Sequence, residues 1–101
     1  METEIAIFKA IADPTRRQIL QDLKSGELTA GEIVERFEIS GPSISRHLSI
    51  LKSAKLIKER KLGNQIFYRL EPEKIANCLG DFLSSVCPNQ IMQRRKRRGI
   101  Q

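Results

Sequence analysis

Residues 28–54 hold two short helical patterns set almost end to end, and this pairing constrains the chain more than any other feature. Thr29-Ala30-Gly31-Glu32 places a hydroxyl first and a carboxylate three residues later. Each can satisfy a backbone N–H that a helix start leaves unpaired, so a helix is predicted to begin there. Ile33, Val34 and Phe37 form its apolar face. Glu38-Ile39 leaves room only for a tight turn before Ser40, which reads as a second N-cap. The helix that follows repeats Ile44, Leu48 and Leu51 at i, i+4 and i+7, a single buried stripe. Its far side carries Pro42, Ser43, Ser45, Arg46 and Ser49. Two short helices with a tight turn can seat the second in the major groove of DNA. A groove-reading helix needs this division into an apolar stripe that fixes orientation and a small, polar opposite face.

The flanking segments complete a small domain. Residues 3–12 place Ile5, Phe8, Ile11 and Ala12 at helical spacing. Asp13 can cap a new helix and Pro14 suits its first position; Ile19, Leu20 and Leu23 point inward, and Ser25-Gly26 ends it. After the fourth helix, Leu56-Ile57 opens a strand, Leu62-Gly63-Asn64 turns, and residues 65–70 are β-rich, which makes a hairpin. Pro72 begins a last helix with Ile75, Leu79, Phe82, Leu83 and Val86 in one stripe, and Pro88 ends it. The expected architecture is mainly α with a β-hairpin wing, a winged helix-turn-helix of four helices, the hairpin and a fifth helix. Residues 1–87 form that domain; residues 88–101 are a basic tail expected to be disordered. The 101 residues suit one domain whose core gains from a partner subunit.

Charge is distributed unevenly along the chain. The net charge is +6 at pH 7, yet Arg46, Lys52, Lys55, Lys58, Arg60, Lys61 and Arg69 meet one acid, Glu59, between residues 40 and 70. The tail adds Arg94, Arg95, Lys96, Arg97 and Arg98 with no acid, and the rest of the chain is net acidic. A basic segment on an acidic body points to a polyanionic partner. Serines at the start of the fourth helix let the backbone come close to DNA, and Arg46 is the long donor able to read guanine. Arg60, Lys61 and Asn64 on the hairpin can reach a neighbouring phosphate or the minor groove. The predicted DNA-contacting set is therefore Pro42, Ser43, Ser45, Arg46, Ser49, Arg60, Lys61 and Asn64, with Pro42 shaping the approach.

Residues 9–20, Lys-Ala-Ile-Ala-Asp-Pro-Thr-Arg-Arg-Gln-Ile-Leu, resemble the second-helix signature of the ArsR family of bacterial repressors. Residues 40–56, Ser-Gly-Pro-Ser-Ile-Ser-Arg-His-Leu-Ser-Ile-Leu-Lys-Ser-Ala-Lys-Leu, are similar to its recognition helix. The resemblance spans roughly residues 5–86 and looks most like an autorepressor branch without a metal site. It implies a homodimer joined through the first and last helices, an imperfectly palindromic operator, and repression, often of the regulator's own operon. Metal-sensing members carry a Cys-x-Cys pair in the third helix. Here Thr29 and Gly31 stand at those positions, and neither ligates a soft metal. The last helix also lacks the histidine of the family's other site, so no metal and no cofactor are expected.

Several residues admit a sharper reading than packing. Cys78 and Cys87 lie nine residues apart on one helix, on opposite sides at ~3.6 residues per turn, so small packed side chains are favoured over a switch within one subunit. His47, the lone histidine, reads as packing or a phosphate contact, since no supporting groups for catalysis surround it. Ile5, Phe8, Ile75, Leu79, Phe82, Leu83 and Val86 are assigned to a dimer interface, whose twofold symmetry would match a palindrome. The tail could track phosphates or simply solubilise. No glycine loop, ligand cluster or catalytic arrangement suggests an enzyme, and no catalytic residue is assigned. The competing reading is a winged-helix protein-interaction or RNA-binding module without operator specificity. The acidic start of the chain and the absence of a ~20-residue apolar run predict a cytoplasmic protein without membrane insertion. An inducer, a redox change, a sequestering protein or concentration alone could relieve repression, and the sequence does not choose among them.

Overall fold

The computed structural model describes residues 2–91. In chain order these form α1 (Glu2–Ile11), α2 (Pro14–Leu23), β1 (Leu28–Thr29), α3 (Ala30–Glu35), α4 (Gly41–Ser53), β2 (Ile57–Leu62), β3 (Gln65–Leu70) and α5 (Pro72–Val86). The winged helix-turn-helix order holds, with one strand added. Leu28 pairs with Tyr68 and Thr29 with Phe67, so the wing is the larger part of a three-stranded antiparallel sheet of order β1-β3-β2. A strand of two residues is too short to leave a period-2 signature, and Thr29 doubles as the cap of α3.

The junction between α1 and α2 is built from the Asp-Pro-Thr-Arg-Arg run. Asp13 caps α2 by accepting from the Arg16 amide at 3.1 Å, and Pro14 occupies the first turn without wasting an N–H. The arginines then turn back to close α1. Arg16 Nε donates to the Ala10 carbonyl at 2.7 Å and Nη2 to Lys9 at 3.1 Å. Arg17 Nη1 donates to the Ile11 and Ala12 carbonyls at 2.8 and 3.1 Å. The carbonyls that a helix end leaves unpaired thus find cationic donors.

Both caps of the helix-turn-helix form as the residue types require. Thr29 Oγ1 accepts from the Glu32 amide at 3.1 Å while Glu32 Oε1 accepts from the Thr29 amide at 2.8 Å, the reciprocal capping box. Ser40 Oγ accepts from the Ser43 amide at 3.2 Å at the head of α4. At its foot the Leu56 amide donates to Leu51 and the Lys55 amide to Lys52, each at 3.0 Å. This is a Schellman closure, with Lys55 at φ 65° in the position that glycine usually takes. Leu51 and Leu56, the apolar pair that accompanies it, are fully buried.

The core gathers Ile7 and Ala10 from α1, Ile19, Leu20 and Leu23 from α2, Ile33 from α3, Ile44, Leu48 and Leu51 from α4, Ile57 and Tyr68 from the sheet, and Cys78 from α5. The expected inward sets of α2 and α4 are the ones buried. In α1 the inward residues are Ile7 and Ala10, whereas Ile5 and Phe8 face out and Ala12 lies beyond the helix end, exposed. Phe37 also lies past the end of its helix but is partly buried against the core. The stripe of α5 divides: Ile75 packs on the core, Leu79 is half-buried, and Phe82, Leu83 and Val86 are exposed. Past Pro88 the chain resumes a helical turn, with the Ile91 amide donating to the Pro88 carbonyl at 3.0 Å. Arg94, Arg95, Lys96, Arg97 and Arg98 lie outside the described residues.

Candidate nucleic-acid interface

The predicted face of α4 emerges intact. Pro42, Ser43, Ser45, Arg46 and Ser49 are all exposed, on the side opposite the buried Ile44, Leu48 and Leu51. At the helix head, Ser40 Oγ donates to Ser43 Oγ at 3.0 Å. This leaves the Ser43 hydroxyl its own hydrogen to donate, for instance to a phosphate. The N-terminal dipole favours an anion at the same end. Among the described residues Arg46 enters no ion pair, so its guanidinium is available for a bidentate contact.

The wing is a six-pair ladder from Ile57–Leu70 to Leu62–Gln65, closed by Gly63 and Asn64. Gly63 has φ +62°, and positive φ at the first of two turn residues suits the twist of a hairpin. Asn64 is exposed at the tip. Alternation along β2 sends Arg60 and Lys61 to opposite faces. Lys61 sits across from Ile66 on the face that continues the core, and Arg60 sits across from Phe67 on the outer one.

The two wing cations also differ in their partners. Arg60 forms a two-point pair with Glu27, Nε to Oε2 and Nη2 to Oε1 both at 2.9 Å, and stacks 4.6 Å from the centroid of Phe67. The hydrogen bond from Arg60 holds the Glu27 carboxyl below its ordinary range, and the same bond raises Arg60. Lys61 enters no ion pair among the described residues. Lys52 is joined to Glu59 at 3.3 Å and Arg69 to Glu71 at 3.2 Å. Glu27 and Glu71 lie outside the basic segment in sequence, so the charge pattern alone could not show that they neutralise two of its cations. Among the described residues the cations of the segment that enter no ion pair are Arg46, Lys55, Lys58 and Lys61.

His47 is half-buried on α4 and meets Arg16 from the start of α2, Nη1 to Nδ1 at 3.1 Å. Asp13 Oδ2 lies 4.0 Å from the same nitrogen. The sequence reading placed His47 beside the stripe but had no signal for its partner, thirty-one residues away. Cys78 is buried, and its thiol is raised first by burial and then by the charges of Glu4 and Asp81. That holds the thiol in its unreactive form. Among the described residues no three His, Cys, Asp or Glu side chains gather as a metal ion would require.

A second exposed surface is built by α1 and α5. Ile5 and Phe8 of α1 are 52% and 38% exposed, and Phe82, Leu83 and Val86 of α5 are 49%, 41% and 59% exposed. The Phe8 and Phe82 rings meet edge to face, 5.6 Å between centroids at 76°. They tie the two helices into one continuous apolar strip.

A helix-turn-helix with a capped, serine-faced second helix and a hairpin beside it defines a winged-helix DNA-binding protein. Residues 13–59 match the model of the arsR family of bacterial regulatory proteins. The transcriptional repressor SdpR of Bacillus subtilis is 48% identical over 80 residues, which is 79% of this chain and 89% of that protein. The biofilm growth-associated repressor of Agrobacterium fabrum is 34% identical over 86 residues, covering 84% of this chain and 74% of that one. Some relatives are longer: the match to the regulator KmtR of Mycobacterium tuberculosis, 38% identical, spans 59% of its length. Among solved structures, an ArsR family transcriptional regulator superposes with TM-score 0.77 at 27% identity over 98% of this chain and 95% of that one. HlyU from Vibrio cholerae does so with TM-score 0.69 at 30% identity over 86% and 95%. The chain belongs to the ArsR family, and is a DNA-binding transcription regulator rather than an enzyme.

Proposed function

We propose that the protein is a homodimeric repressor that reads a palindromic operator in the cytoplasm, including one that controls its own gene. The supporting observation is the outward face of α4, where Ser43, Ser45, Arg46 and Ser49 stand exposed on a helix whose opposite side is locked in the core. In this reading α4 enters the major groove, Arg46 reads a base, and the serines bond phosphates and base edges. Pro42 keeps the helix head compact. Lys61 and Asn64 carry the wing to the adjacent backbone or minor groove. Arg60, already held by Glu27 and Phe67, chiefly stiffens the hairpin.

The homodimer rests on the apolar strip. Ile5, Phe8, Phe82, Leu83 and Val86 are too many and too contiguous to be scattered surface residues, and they link two helices. Ile75 anchors α5 to its own domain, and the half-buried Leu79 adjoins the strip. A twofold axis there would present two copies of α4 to two half-sites about one helical turn apart.

Selection from a pool of random duplexes tests the reading. The expected product is an inverted repeat enriched above unselected sequence by roughly 10³-fold or more. Enrichment of a single unpaired half-site would refute the dimer. Recovery of no common sequence would leave a non-specific binder and sink the operator assignment.

A further inference from the structure

We infer that Arg16 and His47 form a positioning pair that sets the rotation of α4, and with it the direction in which Arg46 faces DNA; the inference rests on the operator reading above. The apolar contacts of α4 come chiefly from the buried stripe of Ile44, Leu48 and Leu51, with Ile50 partly buried to one side of it. Contacts between aliphatic side chains favour burial but are non-directional, so they resist separation of the helix better than they fix its rotation to the precision a side chain needs. Reading a base edge demands more, since a productive side chain must be held within about 0.5 Å and 10–20° of its geometry. A directional bond to a neighbouring element supplies that restraint.

The Arg16–His47 contact has the required placement. His47 follows Arg46 directly and lies three residues after Ile44, so it occupies the edge between the buried stripe and the DNA-facing side. A guanidinium can only donate, so at 3.1 Å from Nη1 the His47 Nδ1 accepts and the ring proton sits on Nε2. Asp13 Oδ2, at 4.0 Å, is too far for a hydrogen bond to the same atom. Arg16 is itself held at three other points: its amide on Asp13, Nε on the Ala10 carbonyl and Nη2 on the Lys9 carbonyl. The donor that reaches His47 is therefore fixed to the end of α1, the helix that also carries Ile5 and Phe8 of the apolar strip. Rolling α4 by the angle that would turn Arg46 aside must break this bond. Neither residue needs to touch DNA; both act through the placement of Arg46.

The experiment compares the wild-type protein with His47→Leu and His47→Asn on two duplexes at one salt concentration. One duplex is the palindrome that the wild type selects from a random pool, and the other is a scrambled control. Leucine removes the acceptor, whereas the asparagine amide oxygen falls close to the place of Nδ1. The expected result is a loss of at least ten-fold in the ratio of specific to scrambled affinity for His47→Leu, with scrambled affinity unchanged. His47→Asn should recover most of the ratio, a rescue that a purely space-filling role would not produce. A His47→Leu protein that keeps the wild-type ratio overturns the inference. So does an equal loss on both duplexes, which would make the ring a phosphate contact, or a failure of asparagine to rescue. Should the leucine variant not fold, His47→Gln is read in the same way: the side chain is only 18% exposed and needs filling, and glutamine stays polar while its amide oxygen falls beyond the place of Nδ1. A wild type that selects no palindrome would instead defeat the operator reading itself, before any variant is made.

Discussion

Single residues divide the basic segment into groups with different tasks. Arg46 faces outward without an ion pair among the described residues, so its truncation to alanine should cost about 1–3 kcal/mol of operator affinity and relax preference at one base. Uniform weakening on every duplex would show that it touches only phosphate. The wing offers a sharper contrast. Lys61→Ala should lower the slope of log affinity against log salt by about one unit, the release of one phosphate contact. Arg60→Ala should leave that slope near the wild-type value, because Glu27 already neutralises the guanidinium at two points. Equal slope changes for both would mean that Arg60 leaves Glu27 when DNA binds. Lys55 is informative for stability. An L-residue in the left-handed region costs roughly 1–2 kcal/mol, and glycine returns about 0.5–1 kcal/mol of that as lost chain entropy. Lys55→Gly should therefore raise stability by about 0.5–1 kcal/mol in thermal unfolding. An unchanged or lower midpoint would show that the lysine side chain makes a compensating contact.

Elements were readable from sequence where their signals were local. The capping box at Thr29 and Glu32, the cap at Ser40 and the Pro14 and Pro72 starts each depend on residues within one turn, and each helix begins where they indicated. The exposure of the eight residues proposed for DNA contact followed by the same route, as the complement of a 3.6-residue stripe or as polar wing residues. What remained hidden was non-local: the two-residue β1, the pairing of Arg60 with Glu27, and the reach of Arg16 to His47. Residues 28–29 and 67–68 meet only after the chain has folded, and neither segment states its partner. The α1–α2 junction yields a prediction of its own. The Asp13 carboxyl is pushed up by burial, but the Arg16 amide, His47, the Arg16 charge and the Thr15 amide together bring it below its ordinary value of 3.8. A depressed carboxyl stabilises the fold above its unfolded value and loses that contribution as pH falls through the folded one. Asp13→Ala should thus cost about 1 kcal/mol near neutrality, as loss of an N-cap does. The difference from wild type should shrink on acidification below the ordinary carboxylate range. A cost that persists undiminished in acid would assign it to packing instead.

The molecule as a whole separates two surfaces, a polar one on α4 and the wing and an apolar one on α1 and α5. Helix α2 follows α1 and carries Arg16, which joins α1 to α4. Among the described residues no helix is long and apolar enough to cross a membrane. In the proposed homodimer a second copy covers the exposed Phe82, Leu83 and Val86 of α5. Phe82→Asp tests that pairing. Placing a charge in an apolar contact is costly unless it is paired, and Phe82 is half-exposed in the single chain, so the variant should fold yet sediment as a monomer. A dimer of unchanged mass would remove α5 from the interface.

The central assignment meets its most direct test in a titration of the purified protein against duplex DNA from its own upstream region, beside a scrambled duplex, across a salt series. Operator reading by paired α4 helices predicts binding to the upstream duplex at least ~10³-fold tighter than to the scrambled one, with two chains per site and loss of most affinity when either half-site is altered. Equal, steeply salt-dependent binding to both duplexes would contradict autoregulation at that site and leave only phosphate contacts.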